Sequence, residues 1–84
     1  MWNYSSIDKT PTVNQVKSII KYMESNLLLY NIVYDFSMMM DMSRPKPNVI
    51  ILNLNNAYRG KIFEVLFSND GKIESFELTS EWIS

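Results

Sequence analysis

The stretch LLYNIVYDFSMMMDM, residues 28–42, decides the fold, because it fits a strand or a helix and holds much of the apolar material. Read at period two, Tyr30, Ile32, Tyr34, Phe36, Met38, Met40 and Met42 fall on one side, all apolar or aromatic. Leu29, Asn31, Val33, Asp35, Ser37, Met39 and Asp41 fall on the other and are mixed. Alternation of this kind predicts a half-buried strand. Fifteen extended residues would span ~50 Å, too long for a small domain. A bulge or bend near Ser37 is therefore expected, or a strand that ends about Phe36 with the methionines beyond it. A helical turn over 37–42 competes, since methionine favours helix.

Upstream, one amphipathic helix is expected. Thr10 can cap it with Pro11 at the first helical position, or Thr12 can cap it with Gln15 three residues on. Val13, Val16, Ile20, Met23 and Leu27 follow at helical spacing, with Ile19 and Tyr22 widening the apolar side and Asn26 a natural stop. Ahead of it, residues 1–9 offer Trp2, Tyr4 and Ile7 to the core or to a sheet edge.

Downstream, the two prolines of Arg44-Pro45-Lys46-Pro47 predict a loop. Strands are expected over Val49–Asn55, Lys61–Ser68 and Lys72–Thr79, with Glu81, Trp82 and Ile83 as a short tail. Asp70-Gly71 signals a two-residue type I′ hairpin. That turn sets Phe67 opposite Glu74, Val65 opposite Phe76, Phe63 opposite Leu78 and Glu64 opposite Glu77. A three-residue loop with Gly71 in a bulge would instead set Phe67 opposite Ile73 and Val65 opposite Ser75, sending Phe76 and Leu78 to the polar side. A one-residue slip turns every side chain over, so the hydrophobic pattern selects the first register. The fold class expected is α+β: one N-terminal amphipathic helix packed on a three- or four-stranded antiparallel sheet, a single domain over residues 1–84.

Composition narrows the function. The chain has no cysteine and no histidine, which removes thiol chemistry and the commonest general base and zinc ligand. A formal charge of −1 argues against a life on nucleic acid or anionic membrane. The opening MWNYSSIDKT lacks the charged and apolar blocks of a signal peptide, no apolar run reaches membrane-helix length, and the cytoplasm is the expected location. Asn, Ile, Lys and Tyr are plentiful, which fits an AT-rich genome, bacterial or phage among other sources. No G-x-S-x-G elbow, P-loop or dinucleotide fingerprint occurs, so no enzyme and no cofactor is expected.

Four carboxylates remain as candidates. Asp35 and Asp41 lie on the outward side of the first expected strand, and Glu64 and Glu77 on the outward side of the last hairpin. Gathered on one sheet face they would suit a basic partner, against the simpler reading of a solvated surface. Spacing Met38, Met40 and Met42 as M-x-M invokes Cu(I), but with no His or Cys the better reading is core filler, and no metal is expected. Met39, on the opposite side, is the candidate exposed apolar contact.

In architecture such a domain looks like the small stoichiometric binders that serve as immunity proteins against a toxin or as phage inhibitors of a host system. That likeness implies a non-catalytic module blocking one basic, nucleic-acid-handling protein. The alternative is a self-associating subunit, a homodimer joined through Asn48–Asn55 as a sheet edge.

Overall fold

A computed structural model describes residues 9–35 and 38–84, and the side chains of all of these but 33–35. Two helices, α1 (Val13–Ser25) and α2 (Leu27–Asp35), precede four strands, β1 (Met39–Lys46), β2 (Val49–Asn55), β3 (Arg59–Phe67) and β4 (Ile73–Ile83). The strands form one antiparallel sheet in the order β1-β2-β3-β4. Trp2, Tyr4 and Ile7 lie outside the described residues.

The N-terminus of α1 uses the second of the two caps. Thr12 accepts the Gln15 backbone N–H at 3.1 Å, and the Gln15 side-chain oxygen accepts the Thr12 N–H at 2.9 Å, a complete capping box. The remaining amide end of Gln15 donates to the Pro47 carbonyl at 2.9 Å. One buried glutamine thus starts the helix and ties it to the β1–β2 turn. This tie sets the rotation of α1. Gln15, Ile19 and Met23 are its buried residues, while Val13 and Ile20 are exposed. The buried stripe is therefore turned away from the expected Val13–Val16–Ile20 line. Ile19 and Met23 join one buried cluster with Ile32, Met38, Ile50, Leu52, Leu54, Phe63, Val65 and Phe67. Tyr22 stacks on Phe76 of β4, ring centroids 4.3 Å apart.

The largest departure from expectation is at residues 27–35, which are helical rather than extended. Asn26 stops α1 with φ −110° and ψ 80°, and its own carbonyl then accepts the N–H of Leu29. Helix re-forms at once. Leu29 and Ile32, three apart, both face the core, and that spacing fits a helix as well as their neighbours fit a strand. The run fits either period, and here the cap at Asn26 and burial decide it.

The methionines then open β1. Met40 stands opposite Leu54 and Met42 opposite Leu52, on the core side; Met38, just before the strand, is buried, and Met39 is 72 % exposed on the other side. The loop expected at Arg44–Pro47 is the end of this strand. Arg44 N–H points outward to the Lys9 carbonyl at 2.7 Å. Pro45, next in the chain, has no N–H to donate, and the register breaks between Ser43 and Lys46. A bulge is one of the few places where a sheet accommodates a proline.

At the last hairpin the two expectations combine. The turn is the three-residue one: Ser68 N–H bonds the Lys72 carbonyl at 2.8 Å, and Gly71 has φ 87°. Phe67 accordingly faces Ile73. An irregularity over the next residues then inserts Glu74, so that Leu66 faces Ser75 and Val65 faces Phe76. The turn chemistry gives one register, the apolar pattern requires the other, and a bulge reconciles them. A second shift, at Thr79, keeps β4 paired to its end. Glu81, Trp82 and Ile83 are thus strand and not tail, and Lys61 lies inside β3 opposite Glu81, to which it is ion-paired.

Candidate functional site

The sheet has two unlike faces. Ile50, Leu52, Leu54, Phe63, Val65 and Phe67 point to the core. Residues paired across strands share a face, so the register defines the other side. Along one row stand Asp41, Asn53, Ile62 and Ser80; along the next, Ser43, Ile51, Glu64 and Glu77; then Val49, Leu66 and Ser75.

Three of the four candidate acids, Asp41, Glu64 and Glu77, therefore lie on this outer face. Asp35 does not: it ends α2, and its placement on a first strand is overturned because that segment is helical. Glu64 and Glu77 are direct cross-strand partners, half-buried and exposed respectively. Such a pair carries like charges on Cβ atoms ~5 Å apart and opposes folding. Asp41 is two strands and two residues away from Glu64, ~12 Å by strand spacing and rise, beyond a physiological Debye length of ~8 Å. The acids form a pair and an outlier. Among the described residues, no three carboxylates converge as a metal would require. Lys46, paired with Val49, is the one base of this face among the described residues, and it sits at the β1–β2 turn.

Between the acids runs an apolar band that sequence reasoning did not assemble. Val49, Ile51, Ile62 and Leu66 are each half-buried on β2 and β3, and the band is continuous across the two strands. The signal was present in Val49-Ile50-Ile51-Leu52, an unbroken apolar run, which marks a strand apolar on both faces. Trp82 closes one end of the face. It stands opposite Gly60, and a Cβ at Gly60 would come within 2.2 Å of the indole Nε1. The indole lies directly on the glycine backbone.

A recess of about 380 Å³ beside the start of α1 is lined by Thr12, Gln15, Arg44, Pro47 and Asn48, among others. One of its polar groups, the Gln15 amide, is already bonded at both ends. This recess holds the fold together rather than offering free chemistry. Among the described residues no helix is long and apolar enough to cross a membrane.

The expected dimer edge is also displaced. β2 lies between β1 and β3 and pairs with both, so Asn48–Asn55 has no edge to offer. Among the described residues the edges are β1 and β4. Compared with protein-family models, curated proteins and solved structures, the chain matches none.

Proposed function

We propose that this chain is a non-catalytic protein-binding module, a stoichiometric inhibitor or immunity-type protein that binds and blocks one basic protein. In this reading α1 braces the core side of the sheet and leaves the outer face for the partner. The observation that carries the proposal is the Glu64–Glu77 pair set beside the Val49–Ile51–Ile62–Leu66 band. A like-charged cross-strand pair weakens the free protein, and local violations of stability rules concentrate at functional sites. A lysine or arginine from a partner would relieve the repulsion. The band would supply apolar contact area, and Asp41 would add long-range attraction and a faster encounter. Met39 adds an exposed apolar contact at the margin.

The test is capture with the tagged protein from its native cell extract, repeated with Glu64→Lys/Glu77→Lys. One basic protein recovered at roughly equimolar ratio, lost with the double variant while circular dichroism is unchanged, supports the reading. Equal recovery by the folded double variant removes it.

A further inference from the structure

β4 is a free edge. No partner strand lies beyond it among the described residues. At 11 residues it is the longest strand of the sheet. An edge of this length presents a row of backbone donors and acceptors to any extended chain. Its side chains are of two kinds. Phe76 and Leu78 continue the core face outward, Leu78 at 48 % exposed, so the core has an uncovered apolar margin along this strand. Glu74, Glu77 and Glu81 supply three negative charges, and no lysine or arginine occurs in IESFELTSEWI.

These charges choose the occupant. Pairing β4 with the β4 of a second copy would gather six carboxylates along one seam; of the nearby bases, Lys61 is already ion-paired to Glu81, and Lys72 and Arg59 lie at the two ends of the strand. Like charge along an edge is one device by which edges refuse their own kind. A strand alternating apolar and basic residues meets none of that repulsion. Its apolar side would cover Phe76 and Leu78, and its basic side would face Glu77.

We infer that the β4 edge receives an extended, basic segment of the partner as a fifth strand. Main-chain hydrogen bonds hold it and the glutamates select its charge. This rests on the binding-module reading but assigns contact to the edge as well as the face, so the two fail separately.

The experiment titrates the full-length, 15N-labelled chain with three synthetic octapeptides, followed by amide chemical shifts. The first alternates Lys and Val, the second Glu and Val, and the third is the Lys-Val peptide with every backbone amide N-methylated. Expected are shifts concentrated in Ile73–Ile83 with the first peptide, and affinities at least about tenfold weaker with the other two, as lost hydrogen bonds and reversed charge dictate. Glu77→Lys should narrow the preference for Lys-Val over Glu-Val. Three titration outcomes overturn the inference: no binding of the Lys-Val peptide, equal affinity for all three, or shifts confined to Val49, Ile51, Ile62 and Leu66 with the N-methylated peptide unimpaired. The last would leave the outer-face reading standing. A dimer by sedimentation with β4 amides protected from exchange would also overturn it.

Discussion

Replacing Gly60 with alanine tests whether Trp82 is locked onto the sheet. The new methyl carbon would lie 2.2 Å from Nε1 and 2.7 Å from Cε2 of the indole, far inside contact distance. Something must move, and the indole, at the end of an edge strand, moves most easily. Trp82 is 44 % exposed, so a little over half its surface is covered. For a side chain of ~250 Å² that is roughly 140 Å², and at ~25 cal/mol per Å² complete displacement costs about 3.5 kcal/mol. A partial slide of the ring costs less. Alanine also suits a strand better than glycine by about 0.5–1 kcal/mol. We therefore expect Gly60→Ala to destabilise by about 2 kcal/mol, a Tm loss of roughly 10 °C for a domain this size. The decisive measurement is the double-mutant cycle, by urea unfolding followed with far-UV circular dichroism. Once Trp82→Ala has removed the ring, Gly60→Ala should be neutral or stabilising, giving a coupling near 2 kcal/mol. Additive losses from the two substitutions would refute the reasoning, because the cost would then belong to the Gly60 backbone and not to the ring above it.

Three further outcomes follow from the same packing. Leu52, fully buried between Met42 and Phe63, should lose about 3 kcal/mol on truncation to alanine, while Asn53→Ala on the outer face stays within ~0.5 kcal/mol in the same denaturant series. Gln15→Ala removes a cap and an anchor together and should cost about 1–2 kcal/mol; Gln15→Glu keeps the acceptor for Thr12 but sets a buried carboxylate oxygen against the Pro47 carbonyl, and should lower the melting temperature at least as far. Glu77→Lys turns the cross-strand repulsion with Glu64 into attraction and should raise stability by about 0.5 kcal/mol at low ionic strength, a gain that fades as salt is added. Substitution that stabilises the free protein and abolishes partner capture would be the signature of a binding site maintained at a cost to folding.

Several elements were legible in the residues because local chemistry and global burial agree there. Val49–Asn55, a short apolar run bounded by turn residues, is β2 as expected. Thr12 and Gln15 announce the start of α1 through the spacing that a capping box requires. Phe63, Val65, Phe76 and Leu78 fix the final register by their pattern, which prevails even over the turn that Gly71 makes. The outward position of Glu64 and Glu77 follows from that register. Asp41 reached the outer face although the strand expected to carry it began eight or more residues too early, because side-chain alternation within β1 depends only on the local parity of Met40 and Met42.

What only the tertiary structure decided lies where two local readings were equally good. Residues 27–35 satisfy both a strand and a helix, and the choice came from Asn26, whose carbonyl restarts the helix, and from the core that accepts Leu29 and Ile32. Pro45 is admissible in β1 because the pairing with β2 shifts register there, and pairing between strands is not a local property. Glycine at position 60 has no evident purpose in the sequence; its reason is an indole 22 residues later, brought there by a bulge at Thr79. Sequence by itself determined which residues are apolar, where the turns fall and which side chains alternate, since these depend on neighbours a few bonds away. Which strands became edges among the described residues, and so which acids share the outer face of the sheet, was settled by contacts between residues far apart in the chain.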